Sequence, residues 1–180
     1  MPLLHARTLA AWDKIRRVPD GEDQQEGTAG EPLEAPLRCA TLAAGLLESA
    51  CAPGTGDPLR LEVVRTLARD LTEELEALCT LTGDETAAVE GALRAADVAN
   101  LAACAAPELL GTAAPQAVAV VHLAAGAARA LGTLAGGGGG EAPKGEFEQS
   151  LLVDVRGAAW RAQFAVRQVD ELTQSGRGKE

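Results

Sequence analysis

The chain is almost without aromatic residues, and this shortage limits the folds that it can adopt. It contains two Trp, two Phe and no Tyr, so that aromatic residues make up 2% of 180 residues. Leu, Val and Ala must therefore fill the core. Strands favour β-branched and aromatic residues, whereas Ala is the best helix former. The sequence predicts an all-α protein in which Ala-rich helices pack closely.

Hydrophobic residues recur every three or four positions in several stretches, which is the spacing of one face of an α-helix. The clearest stretch follows Asp57 as an N-cap and Pro58 in the first turn. Short connections favour antiparallel neighbours. The sequence therefore predicts an up-and-down bundle of four to five helices. Their predicted bounds are Pro36 to Ala52, Asp57 to Gly83, the capping box Thr82–Glu85 to Ala106, Thr112 to Ala135 and Glu146 to Thr173.

Four regions differ in composition along the chain. Residues 1–18 predict a short amphipathic helix, which is basic because four of its side chains are Lys or Arg. Residues 19–35 are rich in Gly, Pro and acidic side chains and predict a flexible linker. Residues 36–173 form the predicted helical bundle domain, and residues 174–180 a disordered tail.

Net charge and cysteine usage narrow the partners and the compartment. A net charge of −10 argues against a nucleic-acid partner, because a protein that binds the phosphate backbone needs a basic face. The four Cys form no C-x-x-C pair, so we expect free, buried thiols in a reducing compartment. No signal peptide is recognised. The sequence predicts a cytoplasmic protein.

The fourth predicted helix is apolar enough to be tested as a membrane span. Its strong hydrophobes would contribute about −3 kcal/mol to insertion, while Arg129 alone would cost roughly 2.5–3.5 kcal/mol at the membrane centre. His122 adds to this cost. We therefore expect a buried bundle helix and no membrane partner.

Asp97 and Asn100 are polar residues on an otherwise apolar face of the third helix, where a spacing of three puts them on the same side. A buried carboxylate needs a partner, because burying it alone is costly. The partner is expected to be Arg94 on the same helix, or His122 or Arg129 on the next. The pair belongs either to a structural polar network or to a ligand site between these two helices.

His122 and Arg129 lie on one side of the fourth helix. They can hold an anion together, or they are the solvent edge of an amphipathic helix. Because the chain has two His in all, no His-rich metal site is expected, and neither a metal nor a cofactor is predicted. The candidate ligand-binding residues are Asp97, Asn100, His122 and Arg129.

The last predicted helix has two apolar faces. One is a seam made of Leu152, Val155, Ala159, Ala162, Val166 and Val169. The other carries the candidate interface residues Val153, Trp160 and Phe164. Three explanations stay open for this second face: cover by the N-terminal helix, self-association, or the wall of a small-molecule pocket.

No pattern of catalytic residues is recognised. The three Ser residues lie outside any G-x-S-x-G turn, and no Ser or Cys has a His at a spacing that indicates a dyad. The preferred function is therefore a non-catalytic bundle that acts through protein–protein contact, with a second copy of the chain as a candidate partner. The alternative is a small-molecule-binding protein or enzyme with a site between the third and fourth helices.

Overall fold

The computed structural model describes residues 31–81, 85–136 and 146–177. All named elements in these ranges are helical, which confirms the prediction of an all-α bundle. A short 3-10 helix, Ala106–Glu108, follows the third helix. The five helices are α1 (Glu31–Ala50), α2 (Pro58–Leu78), α3 (Glu85–Ala105), α4 (Ala113–Ala135) and α5 (Glu146–Arg177). The predicted N-terminal helix, residues 1–18, and residues 19–30 of the linker lie outside the described residues.

The helices of the bundle extend beyond both predicted boundaries of the domain, residues 36 and 173. Helix α1 begins at Glu31, so that the last five residues of the predicted linker are helical. Pro36, which was expected in the first turn, lies inside the helix, and Pro32 occupies the first turn instead. Burial of Leu33 one turn before the buried Leu37 stabilises this extension. Helix α5 likewise continues through residues 174–177 of the predicted tail.

The predicted start of α2 is confirmed. An oxygen of the Asp57 carboxylate accepts a hydrogen bond of 3.0 Å from the backbone N–H of Leu59, and Pro58 follows the cap. Along the predicted stripe, Leu61, Ala68 and Leu75 are buried. Helix α2 ends at Leu78. The predicted end at Gly83 is therefore five residues too late. The side chains of the capping box Thr82–Glu85 lie outside the described residues.

The helices alternate in direction, as the short connections predict. Along α2, residues with higher numbers contact residues with lower numbers in the α3 region, which is the pattern of antiparallel helices. Contacts between α4 and α5 follow the same pattern. These contacts are Arg60–Glu108, Glu74–Arg94, His122–Asp170 and Gly132–Val155. Helix α3 runs parallel to α5, because α4 reverses the direction between them.

Helices α3 and α4 form the centre of the bundle. Helix α3 contacts all four other helices, α1 and α2 pack on one side of the central pair, and α5 packs against the other side. Among the buried residues, Ala outnumbers Leu and Val together. The small side chains let the helices approach closely: a Cβ at Gly91 would lie 2.6 Å from a methyl group of Leu37 on α1 and 3.2 Å from one of Leu131 on α4.

Helix α4 is long and apolar enough to span a membrane by length and composition, with a mean hydropathy of 1.5 over its most apolar window. Half of that window is buried within the bundle. Ala117, Val120, Val121 and Ala124 are among its buried residues. This is the pattern of a helix packed against α1, α3 and α5, as the sequence predicts.

Candidate functional site

Asp97 takes part in a network of ion pairs that joins three helices. One of its carboxylate oxygens lies 3.2 Å from an Nη of Arg161 on α5, and the other lies 3.7 Å from an Nη of Arg94. Arg94 in turn contacts Glu74 on α2 at 2.6 Å and Glu90 at 3.7 Å. The partner expected within α3, Arg94, is therefore confirmed. The alternative partners on α4, His122 and Arg129, form no salt bridge with Asp97 in the described structure.

Asn100 lies one turn beyond Asp97 and is half-buried. Its side chain makes no hydrogen bond within the described ranges. It therefore does not join the network around Asp97, although it lies on the same side of α3. The side chains of Asp97 and its two arginine partners are roughly one third exposed, so that each contact is worth at most about 1 kcal/mol.

His122 and Arg129 belong to α4 and lie beside the edge of α5 that is opposite to Arg161. His122 is 3.4 Å from an oxygen of the Asp170 carboxylate, and both side chains are about half exposed. Arg129 lines a shallow depression between α4 and α5 and is exposed. Both residues lie at the solvent edge of α4, which is the arrangement expected of a polar stripe on an amphipathic helix.

The four candidate ligand-binding residues do not converge. Asp97 contacts α5 at Arg161 and His122 contacts it at Asp170, nine residues farther along. Nine residues are about two and a half turns of an α-helix, so these two partners project from opposite sides of α5. The buried seam of α5 lies between them. The structure therefore divides the predicted cluster between two edges of one helix.

The seam of α5 matches the predicted inner face in part. Val155, Ala162 and Val169 are buried as expected, whereas Leu152, Ala159 and Val166 are half-buried. Ala158 and Ala165 complete the buried row. The contact of α5 with α3 and α4 is thus rotated by roughly 50° about the helix axis from the predicted seam, towards Ala158 and Ala165.

The opposite face of α5 carries exposed large side chains within the described structure. Trp160 is 67% exposed, Phe164 55% and Val153 65%. The rings of Trp160 and Phe164 stack on each other, with centroids 5.8 Å apart and an angle of 19° between the planes. We call Val153, Trp160 and Phe164 the aromatic stripe. The two rings contact each other while leaving most of their surface open.

Beside the aromatic stripe lies a row of three arginines, of which sequence reasoning singled out Arg129 alone. Arg129, Arg156 and Arg167 form no salt bridge with any described residue, and we call them the arginine edge. A depression of about 180 Å³ separates two of them; it is lined by Ala125, Arg129, Gln163, Val166 and Arg167. Arg156 precedes Gln163 by two turns and so projects on the same side of α5.

The other described arginine side chains are paired with carboxylates. They are Arg38, Arg60, Arg65, Arg69, Arg94 and Arg161. The arginine edge stays without a partner although Asp154 and Glu171 on α5 also form no salt bridge within the described part of the chain. Its signal in the sequence was the spacing of Arg156, Gln163 and Asp170 by seven, which marks one side of a helix.

The cysteines are all free, but their burial varies. Cys51 is buried, Cys39 and Cys79 are half-buried, and Cys104 is exposed. The prediction of buried thiols is thus wrong for Cys104, because the outer side of α3 faces solvent there. Among the described residues, no three His, Cys, Asp or Glu side chains lie close enough together to hold a metal ion.

Comparison with known proteins gives no relative from which a site or a function is transferred. No protein-family model matches the sequence, and no curated protein matches it.

Proposed function

We propose that this protein acts through protein–protein contact, with the aromatic stripe on α5 as the contact surface. The observation that carries the proposal is the exposure of the stacked Trp160 and Phe164. Large aromatic side chains favour burial, and Trp residues dominate the energetics of interface cores. A helix at the edge of a bundle that faces only solvent is expected to have a polar outer face. Helix α5 has exposed aromatic side chains there instead. The stripe therefore supports an interface role for this face.

A second copy of the chain is the partner that we propose. A twofold axis that is perpendicular to α5 and passes between Trp160 and Phe164 would place the two copies of α5 antiparallel. Trp160 of each copy would then meet Phe164 of the other. Such isologous contacts are the commonest way in which identical subunits associate. Stacking of aromatic pairs adds about 0.5–1.5 kcal/mol to the gain from burial.

The alternative function, a ligand-binding or catalytic site between α3 and α4, has less support. Asp97 is occupied by arginines, and His122 and Arg129 lie on the opposite edge of α5. We accordingly propose a non-catalytic role. We also propose a cytoplasmic location, because four free thiols suit a reducing compartment.

The test of this function is the oligomeric state of the full chain over a range of concentrations, measured by light scattering and native mass spectrometry. We expect a dimer in the wild type and a folded monomer in Trp160→Arg, because a guanidinium at the centre of the interface would be buried without a partner. Far-ultraviolet circular dichroism checks that the variant is folded.

The matched control is Leu59→Arg, which places the same charge at another exposed hydrophobic residue. Leu59 is 81% exposed and lies on α2, away from α5. This variant should remain dimeric. A wild-type chain that stays monomeric at all concentrations, or a dimer that Trp160→Arg leaves intact, contradicts the proposal.

A further inference from the structure

The aromatic stripe on α5 lies beside the arginine edge, to which α5 contributes Arg156 and Arg167 and α4 contributes Arg129. Trp160 follows Arg156 by one turn and precedes Arg167 by two turns, so that both arginines flank the aromatic ring. The face thus combines exposed apolar surface with positive charge that no described carboxylate compensates. Its complement is a segment with an apolar row and a neighbouring run of acidic side chains.

The chain itself contains such a segment, in the residues that precede α1. Leu4, Ala11, Ile15 and Val18 recur at helical spacing and give residues 3–18 an apolar row. Residues 19–30 follow at once. They carry four acidic side chains and no basic one: Asp20, Glu22, Asp23 and Glu26.

The lengths of the two surfaces agree. As a helix, the apolar row from Leu4 to Val18 would be about 21 Å long, and the stripe from Val153 to Phe164 is about 16 Å long, at 1.5 Å per residue. Residues 3–18 also carry four basic side chains against one acidic one, a net charge of +3 in a chain whose total is −10. The contact of residues 3–18 with the aromatic stripe therefore depends on the apolar row, because this segment and the arginines that flank the stripe have the same sign of charge. Residues 19–30 supply the opposite charge.

The point of attachment allows the segment to reach α5. Glu31 begins α1 at the end of the bundle where α4 finishes, because Leu37 and Leu131 both approach Gly91. Helix α5 starts at the same end, since Val155 lies against Gly132 near the end of α4. Helix α4 separates α1 from α5, which makes the path about two interaxial distances, or roughly 20 Å. Twelve residues, 19–30, span up to about 40 Å when extended.

We propose that the N-terminal segment of the chain is an intramolecular cover for this face, with residues 19–30 against the arginine edge and the apolar row of residues 3–18 on the aromatic stripe. The cover occupies the surface that the proposed function assigns to a second copy. Docking of the segment and self-association are therefore in competition, and release of the segment frees the face for the partner.

The test uses Trp160 as a reporter in the full chain. The chain has two Trp, at positions 12 and 160, so that Trp12→Phe leaves Trp160 as the single indole and keeps an aromatic ring at position 12. Acrylamide quenching of its fluorescence is measured in dilute protein, at a concentration where native mass spectrometry shows monomer. We expect quenching several-fold weaker than that of a free tryptophan derivative, because the segment shields the ring.

Substitutions in the segment should release the shield. In the Trp12→Phe background, Ile15→Asp puts a charge in the apolar row, and Glu22→Lys with Asp23→Lys reverses the charge that faces the arginines. Both variants should raise quenching towards the value for free tryptophan. They should also shift dimer formation to lower protein concentration. The matched control, Asp70→Lys with Glu73→Lys on α2, changes the net charge equally and should leave quenching unchanged.

A charge exchange identifies the surface that the acidic part contacts. Arg156→Glu with Arg167→Glu should expose Trp160, and adding Glu22→Lys with Asp23→Lys to this variant should restore its shielding. Quenching as strong as that of free tryptophan in the dilute parent overturns the cover. Shielding that appears only as the concentration rises overturns the cover but supports self-association. Trp160 exposed at every concentration overturns both proposals.

Discussion

At the level of single residues, burial rather than motif decides what the chemistry-bearing side chains do. Cys51 and Cys104 are both free cysteines inside or beside helices, yet the first is 3% exposed and the second is open to solvent. The difference arises from which side of the bundle each residue faces. Burial raises the pKa of the Cys51 thiol from 9.0 to about 11, and the charge of Arg65 opposes this rise in part.

The raised pKa of Cys51 makes stability fall at alkaline pH. In the unfolded chain the thiol loses its proton near pH 9.0, while the folded protein holds it to about pH 11. Between these two pH values the unfolded state therefore binds fewer protons than the folded state. The free energy of unfolding has its highest value below pH 9.0, as far as this thiol is concerned, and decreases as the pH rises towards about 11. Urea denaturation at about pH 8 and about pH 10.5 measures the decrease.

The comparison with Cys51→Ala isolates this effect, because the substitution removes this thiol and leaves every other titrating group of the chain in place. The variant should lose less stability between the two pH values than the wild type, whereas Cys104→Ala should lose as much as the wild type. An equal loss in Cys51→Ala and the wild type would show that other groups cause the alkaline decrease.

At the level of the helices, the sequence predicted which segments are helical better than where they end. The N-cap at Asp57 and the bounds of α4 followed from local chemistry, because a cap and an apolar run are properties of neighbouring residues. The start of α1 did not, since Pro36 is a valid first-turn residue and equally tolerable inside a helix whose Leu33 and Leu37 pack on the bundle. That packing depends on other helices, which the local pattern does not contain.

Two glycines differ in what their surroundings allow, and alanine substitution should separate them. A Cβ at Gly45 in α1 would meet no atom within 4 Å. Gly45→Ala should therefore raise stability by about 0.5–1 kcal/mol, through the lower backbone entropy of the unfolded chain. At Gly56, before α2, a Cβ would collide with the backbone oxygen of Glu108 and a methyl group of Leu61. Gly56→Ala should lower stability by about 1–3 kcal/mol.

The cost at Gly56 arises where two connections meet. The backbone N–H of Leu110 donates a hydrogen bond of 2.7 Å to the oxygen of Thr55, and Arg60 contacts Glu108 at 2.6 Å. Chemical denaturation of both variants against the wild type measures the difference. Equal effects of the two substitutions would mean that the connections separate without cost.

At the level of the whole molecule, the architecture explains why the four candidate ligand-binding residues do not converge. The pattern placed Asp97 and His122 correctly at the edges of α3 and α4, but it did not show which helix would cover the groove between these two. Helix α5 packs there, and it supplies Arg161 to one residue and Asp170 to the other. The aromatic stripe was visible in the sequence because a second apolar face on one helix is a local property.

The position of each helix in the bundle predicts a gradient of local stability. Helices α3 and α4 pack against three or more neighbours, whereas α2 and α5 each pack chiefly against two. Helices with fewer buried contacts open at lower free energy. Native-state hydrogen exchange should therefore find the slowest amides in α3 and α4, and faster exchange at both ends of α5.

Hydrogen exchange in the middle of α5 also tests whether another protein surface covers the aromatic stripe. If a second copy or the N-terminal segment occupies the aromatic stripe, amides near Trp160 should exchange more slowly in the wild type than in Trp160→Arg, because the occupant must leave before the helix opens. Leu59→Arg should leave them unchanged. Identical exchange in the wild type and Trp160→Arg would mean that solvent, and no other protein surface, covers the outer face of α5 in solution.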